Sequence, residues 1–182
     1  MMKPERAKYL PIMEFGGILF CMLYALLARQ WYEWNDRELI GVLFGAVNNS
    51  VWEQTKILLM PFLLWGMLEQ LSLQPSLHRL TAAKTAALYS LAAVMLLGGC
   101  FLRDTEAKSF RLLCVLALCT GVAVGLMLYY CRWDLHGFFA PCVFLLFLFL
   151  ACYFSLTPFP LHSALFCDAT TGAYGLQPMI PS

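Results

Sequence analysis

Charge is scarce in this sequence. Lys, Arg, Asp and Glu together make 13% of its 182 residues, where a soluble domain carries about 25%. A chain so poor in charge cannot clothe a water-facing surface, and with 61% hydrophobic residues it points to lipid as its solvent. Net charge is also nearly absent, at +1, so nothing points to a nucleic-acid surface or a long polybasic tether. Histidine is rare. His78, His136 and His162 fall in separate loops without i, i+4 pairing, so no metal centre and no cofactor is expected. Cysteine is not rare, but its spacing lacks any C-x-x-C. Cys21, Cys100, Cys114, Cys119, Cys142 and Cys152 sit inside apolar runs, and Cys131 ends another. They read as small buried hydrophobes rather than disulfide or metal ligands.

What is present is a series of long apolar runs. A helix needs about 20 residues to cross roughly 30 Å of hydrocarbon. Five runs qualify: Leu10–Ala28, Val51–Leu71, Ala82–Leu102, Leu112–Cys131 and Phe138–Leu156. The expected fold is therefore all-α, a polytopic transmembrane helical bundle of about five spans over residues 1–157. The first run follows Lys3, Arg6 and Lys8 as a signal peptide would. It is 19 residues long with no clear A-x-A site, and reads as a retained helix with Trp31, Tyr32 and Trp34 as an interfacial belt. Leu39–Val47 is apolar but too short to cross, which suits an interfacial or re-entrant helix. Pro61 should kink the second span, and Phe138–Leu156, rich in Phe and Leu, reads as an outer, lipid-facing helix.

Residues 158–182 contain no spanning run and form an extramembrane tail. The first loop follows one crossing and the tail follows five, so both emerge on one face, where the tail is expected to pack on the first loop. Lys and Arg divide almost evenly between the two sides. Only the leading helix favours a cytoplasmic N-terminus.

A charge at the bilayer centre costs a few kcal/mol, so each polar residue within a span calls for an explanation. Glu14, Glu69 and Lys84 should lie at a similar level near one face. A Glu14–Lys84 pair or snorkelling explains them, and a proton-carrying role is the alternative. Near the other face, Asn49, Trp52, Glu53 and Lys56 follow i, i+3, i+4, i+7 spacing and put an amide, an indole, a carboxylate and an ammonium on one stripe beside Asn48. That stripe suits a ligand. Ser50 and Glu53 also match the S-x-x-E capping box, which needs no ligand. Glu14 and Glu53 should be about 20 Å apart along the membrane normal, too far for one acid/base pair. Gly121-x-x-x-Gly125 offers a close-packing face to a neighbouring helix, in this chain or in a second copy as a homo-oligomer.

The stretch Val47-Asn-Asn-Ser-Val-Trp-Glu-Gln-Thr-Lys56, followed by Pro61, resembles the V-N-E-S-x-W-E-H-x-K core motif of an uncharacterised family of small bacterial, largely clostridial, integral membrane proteins. Glu14 and Gly17 resemble the E-x-x-G of that family's first helix. Leu165-Phe-Cys-Asp-Ala-Thr-Thr-Gly-Ala-Tyr-Gly175 resembles its L-F-x-D-P-x-T-G-x-Y-G tail. The resemblance implies a multi-pass protein of the bacterial plasma membrane and brings no activity with it. Where the family pattern has a histidine near the end of the first helix, this chain has Arg29. Where the core motif has E and H, it has Asn49 and Gln54, which removes the best metal ligands and general base.

Three functions remain in view. The first is binding or transport of a small solute, ion or lipid headgroup, anionic by the nearness of Lys56 to a helix N-terminus, between the Asn48–Lys56 turn and the tail residues Asp168 and Tyr174. The second is an assembly partner packing through Gly121 and Gly125. The third is an enzyme on a lipid substrate with Glu53 as base and Asp168 as partner, weakened by the lack of a nucleophile with an adjacent base.

Overall fold

In a computed structural model of the chain, residues 8–34, 39–102, 107–168 and 171–175 are described. Five long helices make the bundle: α1 (Leu10–Trp34), α3 (Val51–Leu73), α4 (Leu77–Phe101), α5 (Ala107–Tyr130) and α6 (Phe139–Ser155). A short α2 (Leu39–Phe44) follows α1, and a 3-10 turn (His136–Phe138) precedes α6. Among the described residues five segments are long and apolar enough to cross a membrane: Leu10–Ala28, Val51–Leu73, Leu77–Phe101, Ser109–Tyr130 and His136–Ser155. The protein is thus a helical bundle of the multi-pass membrane type. Among the described residues there is no strand, and Cys167 and Tyr174 form an isolated bridge in the tail.

α2 turns back against α1. The Tyr24 hydroxyl donates to Phe44 O at 3.0 Å, and Ala46 N donates to Ala28 O at 3.4 Å, so the segment after the first crossing is held at the level of α1's last apolar turns. The side chains of Arg29, Trp31, Tyr32 and Trp34 lie outside the described residues, and the expected aromatic belt with them.

α4 starts at Leu77, five residues before the apolar run suggests, with His78 and Arg79 in its first turn. The guanidinium makes that possible. Arg79 donates to Tyr129 O at 3.2 Å, Cys131 O at 2.7 Å and Trp133 O at 3.3 Å, carbonyls at and just beyond the end of α5, where a cation is favoured. The same junction corrects the view of isolated histidines: the His78 and His136 rings stack with centroids 4.0 Å apart, because α4 begins where α5 hands over to α6.

The core runs along α4, where Leu88, Leu91 and Met95 are fully buried against α5, α3 and α1. α5 lies closest to it. A Cβ on Gly121 would stand 3.0 Å from Ala87 O and 3.2 Å from Leu91 Cβ, and one on Gly125 would stand 3.2 Å from Ala87 Cβ. Both glycines are therefore used within the chain. Of the two alternatives, a partner helix in this chain or in a second copy, the first is met by the α4–α5 seam, whose close approach needs residues without side chains.

The cysteines expected to be buried hydrophobes divide by position. Cys21 and Cys114 are buried in protein, whereas Cys100 and Cys119 are exposed on helices of the bundle surface, and no disulfide joins the described cysteines. α6 is the most peripheral helix, with only 11% of its span buried.

Candidate functional site

Two buried polar centres occupy opposite ends of α3. The first forms at its N-terminus. Ser50 Oγ accepts from Glu53 N at 3.3 Å, so half of the capping box is present. The other half is not: Ser50 N donates to Asn48 Oδ1 at 2.9 Å, which releases the Glu53 carboxylate. That carboxylate turns inward. Its Oε1 accepts from Thr157 Oγ1 at 2.7 Å, and its Oε2 accepts from Val47 N at 3.2 Å and pairs with Lys56 Nζ at 3.0 Å. Lys56 also donates to Val42 O at 2.8 Å and to Thr157 Oγ1 at 3.0 Å, which engages all three ammonium donors. Glu53, Lys56 and Thr157 are each 3% exposed or less. A carboxylate and an ammonium so enclosed and so fully bonded make a lock joining α2, α3 and the end of α6.

The tail is built onto the same place. Leu165 O accepts from Trp52 N at 3.0 Å, capping a free donor in the first turn of α3, and Phe166 packs on the Trp52 ring with centroids 5.6 Å apart. Asp168 Oδ2 accepts from Asn49 N at 3.3 Å and Oδ1 from Thr171 N at 3.3 Å, while Asn48 Nδ2 donates to Gly175 O at 3.2 Å. Gly175 has φ +63°, and a Cβ there would stand 2.8 Å from Pro160 Cγ, so only glycine allows this approach.

The residues singled out on this face therefore divide. Trp52, Glu53, Lys56 and Asp168 are buried, whereas Asn49 and Tyr174 are exposed, Tyr174 stacking on His162 at 5.1 Å. Glu53 accepts from Thr157 and Val47, and Asp168 from Asn49 and Thr171. Lys56, considered as the anchor for an anion, is engaged by the protein itself.

The second centre lies among α1, α3 and α4 near the other end of the bundle. Lys84 Nζ stands 2.7 Å from Glu14 Oε1 and 2.8 Å from Glu69 Oε2, and 4.8 Å above the centre of the Phe62 ring. Glu14 is 3% exposed and Glu69 0%. Trp65 walls the cluster: its indole N–H donates to Met13 O at 2.9 Å, and a Cβ on Gly17 would stand 2.6 Å from its ring. Gly17 is thus the residue that admits Trp65 between α1 and α3. Two carboxylates meet one ammonium here, a formal charge of −1 out of reach of water. Glu14 Oε2 and Glu69 Oε1 have no hydrogen-bond partner. Burial of an uncompensated charge costs several kcal/mol, so this centre is the opposite of the closed lock at the far end.

Beside it opens a cavity of about 190 Å³ between α3, α4 and α6, lined by Phe62, Gly66, Met67, Gln70, Lys84 and Leu146 among others. Among the described residues no group of three His, Cys, Asp or Glu side chains is placed to hold a metal ion. Several decisive groups carried no readable signal in the sequence. Thr157, Val42 O and Val47 N complete the lock, and Trp65 and Phe62 wall the cluster, yet each is an ordinary residue or backbone atom that only the packing selects.

A family model described as "Family of unknown function (DUF6512)" matches residues 4–176 of the chain. No curated protein and no solved structure matches it.

Proposed function

Since the chain belongs to the family of unknown function DUF6512, over nearly all of its length, we propose from its own geometry that it binds and carries a small cation or cationic solute at the Glu14–Lys84–Glu69 cluster. The observation that carries this reading is the imbalance of the cluster: two buried carboxylates share one ammonium, and each keeps an oxygen without a partner. A cationic guest would supply the missing charge and the missing donors. The reading keeps small-solute or ion binding or transport, and moves its centre away from the first-loop and tail face, where the ammonium donors of Lys56 are already engaged. In this reading the protein sits in the bacterial plasma membrane with its N-terminus cytoplasmic, and the lock and tail hold one end of the bundle fixed.

The test is linkage. Purified protein in detergent should rise in melting temperature as the bound cation is added, by protons, sodium or potassium in separate titrations, because a ligand of the native state stabilises it by mass action. The Glu14→Gln, Glu69→Gln double variant should lose that dependence. A wild-type protein indifferent to all three cations, or a double variant that still responds, removes the reading.

A second reading has one observation in its favour. The indole N–H of Trp52 is buried without a hydrogen-bond partner, one helical turn from exposed Asn49. An acceptor on an anionic ligand or lipid headgroup would satisfy it, with Asn48, Asn49, Trp52, Asp168 and Tyr174 around it. Asn49→Ala and Trp52→Phe should then weaken binding of anionic headgroups, and unchanged binding would exclude this face.

A further inference from the structure

We propose that the cavity beside the cluster is a binding site for a lipophilic primary ammonium ion, one with a compact apolar body and an N–H-bearing cationic end. This deepens the cation reading above and rests on it.

The volume comes first. About 190 Å³ is a little more than the roughly 150 Å³ apolar cavity that admits benzene, so an aromatic ring or short alkyl chain fits. The walls fix the chemistry of the body, since Phe62, Met67 and Leu146 offer hydrocarbon or thioether surface. Gly66 leaves the wall open beside the stem of Lys84: a Cβ there would only touch Lys84 Cδ, at 3.4 Å.

The polar end follows from what the site lacks. Glu14 Oε2, Glu69 Oε1 and Gln70 Oε1, buried side-chain atoms at this end of the bundle, have no hydrogen-bond partner, and each is an acceptor. Gln70 is in the cavity wall itself. Lys84 also forms part of the wall, but its ammonium is held by Glu14, Glu69 and the Phe62 ring, so it is the paired half of a cluster whose formal charge is −1. An entering ammonium brings N–H donors to Gln70 Oε1 in the wall, and one positive charge beside a cluster short of one. A carboxylate would add to the excess charge, and a neutral alcohol would leave it.

The route follows from the mouth. Met67 and Leu77, both lining the cavity, are 66% and 48% exposed on helices that cross the membrane, so the opening faces lipid and selects a molecule that partitions there.

The test uses the full chain in detergent and three probes of matched shape: phenethylammonium, phenethyl alcohol and phenylacetate, followed by calorimetry. The ammonium should bind saturably at one site per chain, and the other two at least about tenfold more weakly, the size of a lost charge-assisted hydrogen bond. Gly66→Leu and Leu146→Trp fill the cavity from opposite walls. Either folded variant should lose phenethylammonium binding by about tenfold or more while keeping the response to inorganic cations. Equal binding of alcohol and ammonium, no saturable binding of the ammonium, or unchanged binding in both filled variants overturns the proposal. If the filled variants and wild type bind no amine but the cluster still responds to sodium, potassium or protons, this inference fails and the cluster reading stands. If amine binding follows the cavity variants yet ignores Glu14→Gln and Glu69→Gln, the cluster reading fails instead.

Discussion

Thr157 Oγ1 lies 2.7 Å from Glu53 Oε1 and donates to it, fastening the residue just past α6 to the first turn of α3, 104 positions away in sequence. The same hydroxyl accepts from Lys56 Nζ at 3.0 Å, so one side chain bridges both halves of a buried ion pair. Thr157→Val keeps the shape and removes both bonds. It should lower stability by about 2–4 kcal/mol, since each buried polar group left unsatisfied costs roughly 1–3 kcal/mol. Thr157→Ser should recover most of the loss. Thermal unfolding in detergent measures it, and equal stability of the valine and serine variants would contradict the bridge.

The ion pair itself should be strongly coupled. Lys56→Met leaves the Glu53 carboxylate buried beside Thr157 and Val47 N without its counter-charge, and the expected loss is about 3–5 kcal/mol. Glu53→Gln leaves the ammonium in the same position. In the double variant neither charge remains, so its loss should fall short of the sum of the two by more than about 1 kcal/mol. A double-mutant cycle that closes additively would show the two groups to be independent.

Docking of the tail predicts a local signature. Trp52 N donates to Leu165 O rather than to water, and Phe166 covers the ring. Removing residues 158–182 should therefore speed hydrogen exchange at the Trp52 amide by about tenfold or more, because a helix-start donor loses its cap. Amides in the middle of α4 should be unaffected. Exchange at Trp52 that ignores the truncation would place the tail elsewhere.

The helices were legible in the sequence because their cause is local: about 20 apolar residues in a row are enough to define a span. Edges were less legible. α4 recruits His78 and Arg79 into its first turn only because carbonyls at the end of α5 accept from Arg79, a partner 50 residues away. At the α3 start, the S-x-x-E spacing correctly gave Ser50 as a cap, but not that Asn48 would take the reciprocal position and free Glu53. The i, i+3, i+4, i+7 stripe treated Glu53 and Lys56 as a face for a ligand. Spacing says which residues share a side of a helix, and only packing says whether that side looks outward. Nor could spacing tell whether Gly121 and Gly125 face α4 or another chain.

That last ambiguity gives a prediction of its own. Gly121→Leu must push a side chain against Ala87 O and Leu91, separating α4 from α5. The expected cost is about 1–3 kcal/mol or more, as for overpacking of a filled core. Sedimentation or crosslinking should show no change of oligomeric state in the variant that folds. A shift toward smaller species at unchanged thermal stability would mean that the glycines serve a second copy after all.

The cluster around Lys84 makes the sharpest prediction, because its charge count gives substitutions of opposite sign. Glu69→Gln leaves one carboxylate for one ammonium, Glu14 at 2.7 Å, and keeps an amide in the same volume. It should leave stability unchanged or raise it, since it removes an excess buried charge. Lys84→Met does the reverse: Glu14 and Glu69 then face each other without a cation, and the stem that lines the cavity is kept. The loss should be about 3–5 kcal/mol, the usual result of breaking a buried pair from one side. Lys84→Met combined with Glu69→Gln should lie between the two, because one carboxylate rather than two is then unpaired. Melting curves of the three variants in the same detergent decide it. If Glu69→Gln destabilises as much as Lys84→Met, the two carboxylates are not competing for one ammonium, and the site is balanced rather than short of a positive charge.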